Sequence, residues 1–171
     1  MSDSAAPSPA PASAPIPASD PAPAPTTAQP PDAFTEDWLP GWDGLNFYTR
    51  TYLPADRPTP RAALLFVHGF AEHIGRYAWA HGAAAARGVA VFAFDGRGFG
   101  QTALGERARV SRASRYGKTS WAEQLRDIEW WARHVRERFP GVPVFLMGHS
   151  MVRARVFAWV PAGVCGEREE G

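Results

Sequence analysis

The chain has 171 residues, a net charge of +1 and one cysteine, Cys165. The near-neutral balance implies no polyanionic partner for the chain as a whole, and a lone cysteine excludes an intramolecular disulfide or a cysteine-rich zinc site. No apolar run approaches the roughly 18–20 residues of a membrane span. The N-terminus also has neither the basic and apolar regions of a secretory signal nor the arginines of a transit peptide, so the expected address is cytoplasmic.

Residues 1–31 hold 10 of the 17 prolines, and 24 of those 31 positions are Pro, Ala or Ser. Such a composition offers too little apolar surface to offset its ordering entropy, and predicts a disordered arm with polyproline II character. No two of its prolines stand three apart, so it lacks a P-x-x-P ligand motif and reads as a spacer. No Lys or Arg precedes Arg50, whereas Asp3, Asp20, Asp32, Glu36, Asp37 and Asp43 do. The N-terminal part is therefore acidic and the remainder basic.

From Phe34 the texture changes. Trp38, Trp42, Phe47, Tyr48 and Tyr52 are interrupted by Pro40-Gly41 and Asp43-Gly44, which predicts a short strand, a turn and a second strand from Leu45 to Leu53. Three continuous apolar runs follow: 62–67 (AALLFV), 89–94 (VAVFAF) and 144–147 (VFLM). Continuity rather than alternation marks strands covered on both faces, as in a parallel sheet. Between them, the alanine-rich stretch 76–87 and the stretch 121–139 predict helices. Ser120 and Glu123 form a capping box for the second, and Trp121, Leu125, Ile128, Ala132, Val135 and Phe139 form its apolar stripe before Pro140-Gly141 stops it. The order of elements is that of an α/β fold, the opening half of a doubly wound sheet over residues 32–151. Residues 152–171 form a separate tail.

Chemistry in such a sheet belongs in the loops after the parallel strands. After the third comes Gly148-His149-Ser150-Met151-Val152. A serine at the end of a buried strand, two residues beyond a glycine, suggests a nucleophile elbow; an ordinary serine at a strand end is the other reading. After the first comes His68-Gly69-Phe70. An elbow needs a second segment whose backbone N–H meets the developing oxyanion, so the two donors would be the N–H groups of Met151 and Phe70. His68 reads as a structural histidine that bonds backbone and holds its loop, not as the base.

The segments FVHGFAEHIGRY (66–77), FDGRGFGQT (94–102) and PVFLMGHSM (143–151) resemble the monoacylglycerol lipase and serine aminopeptidase S33-like branch of the α/β-hydrolases, over roughly residues 34–151. The resemblance implies an incomplete α/β-hydrolase fold, with Ser150 as nucleophile and Phe70 and Met151 as oxyanion donors. It implies a serine ester hydrolase acting on acylglycerols or related lipid esters, with no metal or organic cofactor and no nucleic-acid partner. His68, Gly69, Gly148 and His149 are the supporting motif positions. Gly96, Gly98 and Gly100 also suggest a dinucleotide fingerprint, but Gln101 stands where G-x-G-x-x-G requires glycine, and no helix start is evident. Arg107, Arg109, Arg112, Arg115 and Lys118 read as a solvated loop or as a contact for an anionic membrane surface.

Two departures bear on activity. The family elbow continues G-H-S-M-G, whereas this chain has Val152 where strand and helix backbones nearly touch. The fold also takes its acid and its histidine from beyond the nucleophile, and the 21 residues after Ser150 contain neither histidine nor aspartate. The chain is thus expected to be inactive as it stands, the alternative being a non-catalytic module that binds lipid or protein. The change at Val152, whose codon begins with the GT of an intron boundary, suggests a retained intron or a faulty gene model, with a short isoform as the competing origin. The last apolar strand is then expected to be an edge, with poor solubility or a molten state.

Overall fold

The computed structural model describes residues 33–106 and 115–150. Five strands form one mixed sheet: β1 (Phe34–Pro40), β2 (Asn46–Tyr52), β3 (Ala62–Val67), β4 (Val89–Phe94) and β5 (Val144–Gly148). Their spatial order is β1-β2-β4-β3-β5. β1 and β2 pair antiparallel, as do β2 and β4, whereas β3 runs parallel to both β4 and β5. The predicted hairpin and the three parallel strands are present, with bounds within a residue of those expected, but only β3 and β4 are covered on both faces; β5 leaves Phe145 and Met147 exposed.

Helix α1 (Ala78–Ala85) follows a 3-10 turn over Ile74–Tyr77. On that face of the sheet Tyr52, Phe66 and Val91 are buried with Ile74 and Ala85. The helix is shorter than the predicted 76–87 because its entry is fixed from elsewhere. The Ile74 N–H donates to Asp95 Oδ1 at 2.7 Å, a contact between loops that no local pattern reveals.

The opposite face is covered by α3 (Trp121–Arg138), after a five-residue helix α2 (Gly100–Leu104) in the segment read as a plain loop. Ile128, Trp131, Ala132 and Val135, at i, i+3, i+4 and i+7, pack on Phe47, Leu65, Phe92 and Phe94. Trp131 lies outside the predicted stripe, yet it is buried with its ring 5.3 Å from that of Phe92 and 5.5 Å from that of Phe47. Conversely Trp121, placed in the stripe, is exposed at the first turn. Fully burying one large apolar side chain contributes about 1.5–3 kcal/mol, so this face carries much of the fold.

Ser120 caps α3 as expected, its Oγ accepting the Glu123 N–H at 3.2 Å. Ser120→Ala is expected to cost about 1 kcal/mol, read as a lower urea midpoint at unchanged slope.

His81 on α1 is buried among the rings of Tyr52, Phe66 and Tyr77. Among the described residues neither of its ring nitrogens has a hydrogen-bond partner. Burial, and then the Arg50 charge, lower its pKa from 6.5 to about 4. Below pH 6.5 the unfolded state takes up a proton that the folded state refuses, so this contribution is intact above pH 6.5 and is lost as pH falls towards 4. The expected loss is on the order of 3 kcal/mol. His81→Phe should flatten that limb in urea titrations at pH 7, 5.5 and 4, and an unchanged limb would refute the assignment.

β5 has β3 as its one paired neighbour among the described residues, with Phe145 and Met147 exposed. It stands at the sheet edge, as expected. Among the described residues no helix is long and apolar enough to cross a membrane.

Candidate active site

The register of the parallel strands gathers three loops. Val67 at the end of β3 stands opposite Phe94 of β4 and Gly148 of β5. The segments beginning at His68, Asp95 and His149 therefore leave the sheet at one edge, where ligand sites of open α/β sheets form. The His149 N–H donates to Val67 O at 3.1 Å and carries the strand pairing one residue beyond β5.

The next residue turns sharply. Ser150 has φ +58°, in the left-handed region that non-glycine residues seldom occupy. Holding a serine there costs of order 1–3 kcal/mol, and strain of this kind clusters at functional sites.

Gly69 lies against this turn. A Cβ on it would stand 3.1 Å from Ser150 Cβ, 2.9 Å from Glu72 Oε2 and 3.2 Å from His149 Nδ1. Only glycine lets the β3 loop come this close. Phe70 follows, half exposed, with its ring 5.2 Å from that of Phe99. Its N–H makes no hydrogen bond among the described residues. Met151, the other expected oxyanion donor, lies outside the described residues, as do Arg107, Arg109 and Arg112; Arg115 and Lys118 are exposed. A small space of about 20 Å³ is lined by Val67, Phe70, Phe94, Phe99 and Ile128 among others, but not by Ser150.

His68 occupies the place expected of a structural histidine. Its Nε2 accepts the Gly96 N–H at 2.7 Å, so the ring proton is on Nδ1, which donates to Gly69 O at 2.7 Å. Both nitrogens are used, and the ring ties the β3 loop to the β4 loop. Burial lowers its pKa below the ordinary histidine value, and the neutral ring fits that bonding.

Glu72 is the hub that sequence reasoning left unassigned. Its Oε2 accepts the Gly69 N–H at 3.2 Å and the Tyr77 hydroxyl, and it meets His149 Nδ1 at 3.2 Å. Its Oε1 pairs with Arg76 at 2.8 Å. The Tyr77 hydroxyl foremost, then Gly69, His149 and Arg76, hold the Glu72 carboxyl below its ordinary value despite burial. Burial and the same carboxylate push Tyr77 up to about 12. One side chain thus joins the loop carrying Phe70 to the residue before Ser150.

Beneath the loops lies a second network that sequence reasoning missed. Arg97 donates from Nε and Nη2 to both oxygens of Asp127 on α3, at 3.1 and 2.7 Å, and from Nη1 to Asp43 at 2.7 Å. The Trp42 indole N–H also donates to Asp127, at 2.8 Å. Burial depresses the Arg97 pKa, but the bonds to Asp127 and Asp43 outweigh it and leave the guanidinium above its ordinary value. Asp127 carried a sequence signal: it borders the apolar stripe of α3, where a buried carboxylate requires a cation.

The family model for the serine aminopeptidase S33 family matches residues 58–162, more than half of the chain. The chain belongs to that family. It is 35% identical over 109 residues to the monoglyceride lipase of Homo sapiens, covering 64% of this chain and 32% of that protein. It is 33% identical over 100 residues to the monoacylglycerol lipase of Mycolicibacterium smegmatis, covering 58% and 32%. Among solved structures, a thermostable carboxyl esterase from Bacillus coagulans in complex with glycerol superposes with a TM-score of 0.61 at 28% identity, over 74% of this chain and 39% of that one. A soluble variant of monoglyceride lipase from Saccharomyces cerevisiae, in complex with a substrate analogue, gives a TM-score of 0.55 at 25% identity, over 76% and 40%. The fold is that of the α/β-hydrolases, in the branch similar to monoglyceride lipase, and the chain spans about a third of the length of these curated relatives.

Proposed function

We propose that this chain carries the nucleophile and oxyanion segments of a serine hydrolase that cleaves acylglycerols or related lipid esters. The observation that carries the reading is the turn at Ser150, φ +58° at the end of β5, packed on the glycine of the His68-Gly69-Phe70 loop. Monoglyceride lipases are the relatives that support a lipid ester as substrate.

In this reading Ser150 Oγ adds to the ester carbonyl carbon while a histidine base takes its proton. The carbonyl electrons move to oxygen, where the Phe70 and Met151 N–H groups stabilise them. Collapse expels the alcohol with the histidine's proton, and water repeats the sequence to release the acid. His68 does not serve as base, because both its nitrogens are bonded to backbone.

The absence of histidine and aspartate from the 21 residues after Ser150 favours a second reading for these 171 residues alone, a hydrolase-like module that binds without turnover. Fluorophosphonate labelling and monoacylglycerol hydrolysis test both. In a protein that supplies the acid and histidine, Ser150→Ala is expected to abolish labelling and lower kcat by about 10⁶-fold. The 171-residue chain alone is expected to label no more than its Ser150→Ala control. Turnover that survives Ser150→Ala would overturn the nucleophile assignment.

A further inference from the structure

The loop after β3 offers successive N–H groups at Gly69, Phe70 and Ala71, and the hydrolase reading gives the oxyanion to the middle one. The loop's own backbone does not favour the shape that this requires. Residues 69–72 form a turn closed by the Glu72 N–H on Gly69 O at 3.4 Å. The third residue of that turn, Ala71, has φ +55°, in the left-handed region where glycine is the usual occupant. Such a residue keeps its conformation only where the surroundings hold it there.

The Glu72 side chain supplies the hold. Its Oε2 reaches back to the Gly69 N–H at 3.2 Å, so residues 69 and 72 bond each other twice, once through backbone and once through the carboxylate. This occupies the Gly69 N–H and leaves that of Phe70 unbonded among the described residues. The carboxylate is fixed in turn. The Tyr77 hydroxyl donates to Oε2, and the Tyr77 ring is packed 4.6 Å from that of Phe66. Because the phenol proton goes to Glu72, His149 Nδ1 carries its own proton, which faces Oε2 at 3.2 Å and the phenol oxygen at 2.9 Å.

We propose that Glu72 is a positioning residue: it fixes the turn so that the Phe70 N–H, and not that of Gly69, is the donor presented beside Ser150. The inference rests on the hydrolase reading and deepens it. A bare carboxylate here would oppose a developing oxyanion, but Arg76 Nη1 offsets its charge from Oε1 at 2.8 Å. Both oxygens are engaged, so Glu72 sets geometry and does not replace the missing acid or base. Preorganised donors stabilise a transition state because no reorganisation is needed when the charge develops. Tyr77 belongs to the same device, since its hydroxyl holds the carboxylate and meets the residue before the nucleophile.

Hydrogen exchange of the 171-residue chain tests the clamp, and kinetics test its use. In Glu72→Ala, exchange at Gly69 is expected to quicken by about tenfold or more relative to the α3 amides. An unchanged rate would overturn the inference and leave the nucleophile assignment standing. In a protein that supplies the acid and histidine, hydrolysis of glycerol monobutyrate is measured per active site, counted by fluorophosphonate titration so that unfolded molecules drop out. Glu72→Ala should lower kcat by about 10–100-fold with KM within about twofold, short of the roughly 10²–10³ that removal of a whole oxyanion donor costs. Glu72→Gln keeps an oxygen for the Gly69 N–H and should recover most of that loss. Tyr77→Phe spares the packed ring, removes one bond to the carboxylate, and should lower kcat by about three- to tenfold. An undiminished kcat in Glu72→Ala and Tyr77→Phe would overturn the proposal, as would an equal fall in Glu72→Gln and Glu72→Ala. Turnover that survives Ser150→Ala would strike the hydrolase reading itself, and this inference with it.

Discussion

Asp127→Ala is expected to destabilise the folded domain by about 3–5 kcal/mol, the cost of removing one partner from a buried ion pair. The substitution strips Arg97 of two of its three charge-assisted bonds and leaves the Trp42 indole without its acceptor. The guanidinium, 5% exposed, would then face only Asp43. Native stability is typically only about 5–15 kcal/mol, so the variant should be partly unfolded at room temperature. Urea denaturation followed by circular dichroism measures the loss. Arg97→Leu/Asp127→Leu separates the unpaired charge from the value of the pair, because apolar replacement of a whole buried pair is often near neutral. The double variant should therefore be more stable than Asp127→Ala. A loss below about 1 kcal/mol for the single variant would show that water reaches Arg97.

That network explains why part of the structure was legible in the sequence and part was not. The strands over 62–67, 89–94 and 144–147 were read from continuous apolar runs; in the first two, burial on both faces leaves its mark on nearly every position, whereas the third carries the same run although Phe145 and Met147 are exposed among the described residues. The cap at Ser120 was legible because its partner, Glu123, is three residues away. Trp131 was missed although Ile128, Ala132 and Val135 of the predicted stripe are buried, because a stripe taken at alternating steps of three and four leaves out the position beside Ala132 that widens the same face. Within the site, His68, Gly69 and Ser150 could be named because they end apolar runs. Glu72 could not: Gly69 and Tyr77 lie close to it in sequence, but in an irregular segment that no period marks, and His149, 77 residues on, reaches it only through the β3–β5 pairing. The bond from Arg97 to Asp127 spans 30 residues and that from Trp42 to Asp127 spans 85, so no local pattern carries them. Helix α2 belongs with these: it begins where Asp95 Oδ2 accepts the Gln101 N–H at 2.6 Å, not where a propensity rises.

The same carboxylate sets the second large effect, at Gly100. The backbone there has φ +50°, and an added Cβ would fall 2.1 Å from Asp95 Oδ2 and 2.3 Å from its Cγ. Neither atom can retreat cheaply, because Asp95 is buried and its two oxygens hold the N–H groups of Ile74 and Gln101 at 2.7 and 2.6 Å. Burial raises the Asp95 pKa against these two bonds, so weakening them removes what favours its charged form. Gly100→Ala therefore combines a left-handed backbone penalty of about 1–2 kcal/mol with the loss of at least one charge-assisted bond worth about 1.5–3 kcal/mol. The expected total is about 3–5 kcal/mol, read as a lower urea midpoint. Its direction of spread is specific: releasing Ile74 frees the 3-10 turn before α1, and with it Tyr77 and its bond to Glu72. Hydrogen exchange should accelerate at Ile74 and Gln101 first and at Gly69 next, while the α3 amides facing β3 keep their protection relative to the global rate. Uniform acceleration across α3 and the loops alike would show that Gly100 acts on the whole fold, and would refute the path through Asp95.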